Sequence, residues 1–211
     1  MESEASIPPK CEGCGAELVS HLFCFSCKTL QHFPPTADYF EALGLSCNYR
    51  LDQEKLKKRY RQLAEELHPD FYANSSKDLQ HLSERGLALI NRAFEFLLDP
   101  FSRAEYLLRK IYPDLEKEER IMPPEFLEEM FSLQEKLDQL LVDHDRQGVE
   151  QMRMDLEQHL SELETGLLPA FEMLEEAEKP QEVLERLRMS LNTNQYLKRL
   201  LERCVIEETN E

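Results

Sequence analysis

Two kinds of residue in this chain have the types and spacing for chemistry. The first are four cysteines in two pairs, Cys11-Glu-Gly-Cys14 and Cys24-Phe-Ser-Cys27, with nine residues between the pairs. Two Cys-x-x-Cys knuckles offer four thiolates at tetrahedral spacing, and Gly13 and Gly15 supply the tight turns that such knuckles need. Four sulfur ligands leave no open coordination position, so the expected role is structural, with zinc as the ion. Iron in a rubredoxin-like site suits the same soft donor set. His21 and His32 lie nearby but are not needed as ligands. A segment of this size has no core of its own, so metal ligation would be its folding energy.

The second are His68 and Asp70, which bracket Pro69. An imidazole and a carboxylate suggest acid–base catalysis, but no nucleophile, glycine-rich cradle or third orienting group stands near them in sequence. The chain therefore reads as a non-enzyme. The residues before them are more telling: Lys55, Lys57, Lys58, Arg59 and Arg61 put five cations into seven residues of a helical pattern whose other side is apolar. That is a docking stripe for an acidic partner, with rigid Pro69 holding His68 and Asp70 at its end.

The elements that position these groups can be read from periodicity and punctuation. Residues 36–113 predict four helices. Thr36 or Asp38 caps the first, which carries Tyr39, Phe40 and Leu43 and ends at Gly44. Asp52 caps the second, with Leu56, Tyr60, Leu63, Ala64 and Leu67 on its apolar side, and Pro69 stops it by Leu67. After a polar loop through Asn74, Ser75 and Ser76, the third buries Leu82, Leu89, Ile90, Ala93, Phe94 and Leu97. Asp99-Pro100 caps and opens a fourth, which Pro113 ends.

Residues 122–207 predict three amphipathic helices in an antiparallel bundle. Pro123-Pro124 opens the first, with Phe126, Met130, Leu133 and Leu137 in one line. The second starts near Gly148, and Gly166 and Pro169 predict a kink or break in it. The third comes after Lys179-Pro180 and carries Leu187, Leu191, Tyr196, Leu197 and Leu200. The expected class is all-α, with a small knuckle segment, 1–34, in front. Cys47 and Cys204 stand alone and are expected to be buried, as small apolar groups.

Charge narrows the function. The net charge is −17. Residues 114–211 hold 26 acidic and 11 basic groups, against 16 and 14 in residues 1–113. Nucleic acids and anionic membranes want the opposite balance, and segment 10–28 sets only Lys10 and Lys28 against Glu12 and Glu17. No run reaches the ~18–20 apolar residues of a membrane span. The acidic start has no signal or transit-peptide pattern, so the expected location is cytoplasmic, or the mitochondrial matrix if a transit peptide has been removed.

Helix, His-Pro-Asp loop, helix is the signature of a J-domain, and the chain resembles the HscB (Jac-type) J-proteins of iron–sulfur cluster biogenesis. Asp38-Tyr-Phe-Glu-Ala-Leu-Gly-Leu45, His68-Pro-Asp-Phe71 and the stretch from Ile90 to Leu108, above all Asn91, Asp99-Pro100 and Arg103-Ala104-Glu105-Tyr106-Leu107-Leu108, carry the resemblance. The tetracysteine lead-in looks like that of the human family member. The resemblance implies a four-helix J-domain that docks on a DnaK-class, HscA-like chaperone through His68, Pro69, Asp70 and the basic stripe, and stimulates its ATPase. It also implies a bundle that binds an IscU-class scaffold, with Leu127 and Phe131 as apolar contacts and Glu135 as an acidic one. Glu128 and Ser132 depart from the family pattern there, and Leu187, Arg188 and Met189 match only loosely. Two other readings remain: a general J-protein with a different client, and a zinc-ribbon nucleic-acid-binding regulator with a helical arm.

Overall fold

The structure, a computed structural model, describes residues 9–113, 123–177 and 180–209, with side chains to residue 205. The chain forms two compact units, Met1–Arg103 and Ala104–Glu211.

In the first unit, strands β1 (Phe23–Cys24) and β2 (Thr29–Leu30) pair antiparallel, Phe23 opposite Leu30 and Cys24 opposite Thr29. Helices α1 (Tyr39–Leu43), α2 (Gln53–Glu66) and α3 (Lys77–Leu98) come next, and α4 (Pro100–Ile111) crosses the boundary between the units. Asp38, not Thr36, caps α1, accepting from the amides of Phe40 and Glu41 at 2.9 and 3.0 Å. Asp52 caps α2, Ser76 caps α3, and Asp99 accepts from the Ser102 amide in the first turn of α4. Gly44 ends α1 at φ 65. It has a second reason to be glycine, because a Cβ there would overlap the Val19 carbonyl of the cysteine segment.

Phe40, Leu43, Leu56, Leu63, Leu67, Ile90, Ala93 and Leu97 form the core at full burial. Phe94, expected inside, is only half-buried: it stacks on Tyr60 with ring centroids 4.3 Å apart, at the edge where α2 meets α3. Cys47, also expected inside, is exposed, because it lies in the loop after Leu45 rather than on an apolar helix face. Cys204 is buried as expected.

The second unit holds α5 (Pro124–Val142), α6 (Arg146–Glu176) and α7 (Gln181–Thr209) as an antiparallel bundle. Phe126, Met130 and Leu137 of α5 pack with Val149, Met152 and Leu156 of α6 and with Leu197, Leu200 and Cys204 of α7. Helix α6 runs through Gly166 and Pro169 without the break that these residues suggest. A proline inside a helix costs about 3 kcal/mol. The buried side chains Leu167, Phe171 and Leu174 return about 1.5–3 kcal/mol each. No helix among the described residues is long and apolar enough to cross a membrane.

Arg103 is the buried cation of the first unit, 6% exposed. Its Nε donates to the Tyr49 carbonyl at 3.1 Å, its Nη1 to the Leu97 carbonyl, and its guanidinium lies 4.8 Å from the Tyr49 ring centre. One side chain thus ties the α1–α2 loop to the end of α3. Replacing it by leucine leaves two carbonyls short of a charged donor, so Arg103→Leu should destabilise this unit by about 2–4 kcal/mol, read as a lower urea midpoint at unchanged slope.

Candidate docking surfaces and metal centre

The His-Pro-Asp loop is built by stopping α2 and latching the turn beyond it. His68 adopts the extended conformation (φ −64, ψ 129) that a proline at the next position demands, and Pro69 opens a 3-10 turn through Tyr72. Hydrogen bonds from three side chains hold the turn. The buried Ser83 hydroxyl donates to the Leu67 carbonyl at 2.8 Å, the Tyr72 hydroxyl to the Glu66 carbonyl at 2.9 Å, and the Gln80 amide to the carbonyls of Ala73 and Ser75. Burial, reinforced by the Glu66 carboxylate, raises the Tyr72 pKa and keeps its phenol a donor. The sequence reading missed these three residues; Ser83, a polar residue amid the apolar face of α3, was the available signal.

His68 Nδ1 accepts from the Asp70 amide at 3.3 Å, which puts the proton of the neutral ring on Nε2. The side chains of His68 and Asp70 are 51% and 90% exposed, and Phe71 beside them is 73% exposed. Such a display suits contact with a partner surface better than sheltered proton transfer.

The basic residues of α2 do not form one row. Lys55, Lys58 and Arg61 share the outer face with Glu54 and Glu65. Lys57 and Arg59 flank the buried line of Leu56 and Leu63, Lys57 paired with Glu54 at 3.0 Å and Arg59 donating to Gln62 at 3.4 Å. All five lie on one helix, with Lys55, Lys58 and Arg61 on its outward side.

The four cysteine sulfurs lie within 4.8 Å of one another, with Cys11–Cys27 at 3.5 Å and Cys14–Cys24 at 3.8 Å. A tetrahedral ion with ligands at about 2.3 Å spaces its sulfurs by about 3.8 Å, so the set fits a metal. Amides of Gly13 and Cys14 point at Cys11 Sγ at 3.3 and 3.5 Å, and they are the usual donors to a metal-bound thiolate. His21 is engaged elsewhere, 3.4 Å from Glu41.

In the bundle, Leu127 and Phe131 are 46% and 61% exposed, and Glu135 is exposed beside them. The opening between α5 and α7 is lined by Leu127, Phe131, Tyr196, Arg199 and Arg203. Tyr196 was expected on the inward stripe of α7; it is 37% exposed and meets Phe126 edge-on at 5.5 Å. The loosely matched Leu187 is buried, with Arg188 and Met189 half-buried.

Comparison with known proteins matches both halves of this arrangement. Residues 38–106 match the DnaJ domain, and residues 122–204 match the HSCB C-terminal oligomerisation domain. The chain is 30% identical to the human iron–sulfur cluster co-chaperone protein HscB over 90% of this chain and 81% of that protein. This chain belongs to the HscB family. Identity to the Arabidopsis thaliana HscB homologue is 30%, over 77% of this chain and 63% of the relative. The crystal structure of human HscB superposes with a TM-score of 0.76 at 27% identity, covering 96% of this chain and all of that one. HscB from Vibrio cholerae gives 0.64 at 25% identity, covering 82% and 98%. As an HscB-family protein, the chain is a J-domain co-chaperone of iron–sulfur cluster biogenesis, and its four close cysteines can hold a metal ion.

The cysteine pKa values set how metal affinity depends on pH. The Cys14 amide, with that of Gly13, lowers Cys11 to about 6. Cys14 rises to about 12: the Ala16 amide pulls it down, but Cys27, burial, Cys11 and Cys24 outweigh that pull. The metal-free cluster therefore keeps at least the Cys14 proton at neutral pH, and binding expels it. More protons are bound without metal than with it, so affinity rises with pH and is lost on acidification. Zinc competition titrations should show affinity falling at least about tenfold per pH unit below about pH 8, and more steeply once Cys11 also protonates below about pH 6.

Proposed function

We propose that the protein uses its two units for two partners. The first unit would dock on a DnaK-class, HscA-like chaperone through His68, Pro69 and Asp70, with Lys55, Lys57, Lys58, Arg59 and Arg61 of α2, and stimulate its ATPase. The bundle would hold an IscU-class iron–sulfur scaffold on Leu127, Phe131 and Glu135, so that ATP hydrolysis drives cluster transfer from a client presented by this protein. The domain division proposed is a tetracysteine segment at 1–34, a J-domain at 36–113 and a scaffold-binding bundle at 122–207.

The observation that carries this reading is the exposure of both proposed surfaces. The side chains of His68 and Asp70 stand in solvent at the end of a cationic helix. Leu127 and Phe131 present large apolar groups outward from a helix whose other face, through Phe126, Met130 and Leu137, is already buried. Side chains of that size are left in water by few monomeric surfaces as a contiguous patch, and they suit an interface hot spot. Tyr196 joins that patch from α7 and extends it. For the cysteine cluster the proposed ion is zinc, since a closed four-thiolate set offers no site for chemistry, with iron the other candidate. A reducing compartment, cytoplasm or mitochondrial matrix, suits four thiolates that serve as metal ligands.

The test measures chaperone ATPase with this protein alone and with scaffold added. Stimulation should be synergistic. His68→Gln should return the rate to the chaperone's own baseline while leaving scaffold affinity unchanged. Leu127→Ser with Phe131→Ser should weaken scaffold binding by about thirtyfold or more, with scaffold-free stimulation intact. Stimulation without a scaffold effect would retain the J-domain role and reject this client.

A further inference from the structure

The cysteine segment grips the His-Pro-Asp loop at its two anchors. Lys28, in the left-handed conformation (φ 58) between Cys27 and Thr29, sends its ammonium to the carboxylate of Glu66, the last residue of α2. The same ammonium lies 5.8 and 5.7 Å from the ring centres of Phe23 and Phe25. Glu66 in turn holds Tyr72, whose hydroxyl bonds its carbonyl and closes the turn that carries Pro69 and Asp70. Further along the segment, Phe33 lies under the Arg85 guanidinium at 5.2 Å and abuts Gly86 beside Leu67, the residue before His68.

The knuckle sets the Lys28 conformation. Its amide donates to the Cys24 carbonyl at 2.8 Å, inside the turn that brings Cys24 and Cys27 together. The local core beneath is Cys11, Leu18 and Cys24, with Ala16 and Cys27 packed on it, so three of the four sulfur ligands are themselves part of that core. Whatever gathers the four sulfurs also holds Lys28 in its turn.

We infer that metal loading of the Cys11–Cys14–Cys24–Cys27 cluster is linked, through the Lys28–Glu66 ion pair, to the order of the His68-Pro69-Asp70 loop. This rests on the reading of the cluster as a metal site. A loaded cluster keeps Lys28 on Glu66, restrains the last turn of α2 and the Tyr72 latch, and steadies the loop in its displayed conformation. A stripped cluster frees the knuckle and loosens them. Because linkage is reciprocal, the ion pair must raise metal affinity by the same factor. The J-domain thereby carries a metal-dependent regulator of its docking loop.

Hydrogen exchange by mass spectrometry on the full chain, stripped with chelator and then reloaded with Zn²⁺, tests this. Loading should slow exchange in peptides covering residues 66–73 by about twofold to fivefold, the range a half-exposed ion pair carries. Peptides from the middle of α3 should change little. In Glu66→Gln and in Lys28→Asn, a residue that tolerates the left-handed turn, that slowing should vanish while zinc still binds one per chain. Zinc affinity should fall by the same factor in both variants. Equal slowing in the variants, no slowing in the wild type, or a uniform change through α3 would each overturn the linkage while leaving the metal reading intact. Failure of the wild type to bind zinc would overturn both.

Discussion

The end of α2 at Leu67 is the constraint on which the first unit depends. Pro69 forbids the helix to continue, so Leu67 is the last residue that can be driven into the core, and it is fully buried. Its carbonyl, freed by the helix stop, would be an unsatisfied buried acceptor without the Ser83 hydroxyl. Its side chain lies so close to α3 that a Cβ on Gly86 would stand 3.2 Å from it. These contacts lock the loop's entry to α3, and the loop's exit is then set by Tyr72, Gln80 and the Ser76 cap. His68 and Asp70 are left with little to touch but each other, which is why they stand in solvent.

The cysteine segment depends on the same region for a different reason. It is too small to bury a core, and it borrows one. The Ser20 hydroxyl bonds the Ala42 carbonyl at 2.6 Å, the Val19 carbonyl rests against Gly44, and Phe33 abuts Gly86. Glycine at position 44 lets the Val19 backbone approach where a Cβ would overlap it, and at position 86 a Cβ would crowd Leu67. Segment and J-domain thus form one packed unit, joined across α1 and the two elements that flank the His-Pro-Asp loop.

The bundle solves a different problem. Its core takes one line of each helix, and α5 is short of partners on its remaining apolar positions. Hence Leu127 and Phe131 face water, and Tyr196 beside them keeps its ring on Phe126 and its edge outward. In a unit with a large excess of acidic groups, Arg199 and Arg203 line the same opening, with Arg203 paired to Asp138.

Much of this was legible in the sequence, because the signals were local. Asp38, Asp52 and Asp99 cap helices through bonds that span two or three residues. Gly44 and Pro69 act on their own backbone, the paired cysteines announce a four-sulfur cluster by spacing alone, and the heptad-like lines of α5 predicted which faces turn inward. The family resemblance in the stretch from Ile90 to Leu108 carried the fold further than periodicity did. Where the sequence reading erred or was silent, the deciding contact was distant in sequence. Pro169 does not break α6 because burial against α7 outweighs one lost hydrogen bond. Phe94 and Tyr196 sit at helix edges whose orientation depends on a neighbouring helix, and Cys47 takes an exposed position in the loop after Leu45. The Lys28–Glu66 pair, the Ser83–Leu67 bond and the Arg103 fork join residues 38, 16 and up to 54 positions apart. Periodicity records which side of one helix is apolar; which residue of another element meets it is set by packing, and only the folded chain brings those partners together.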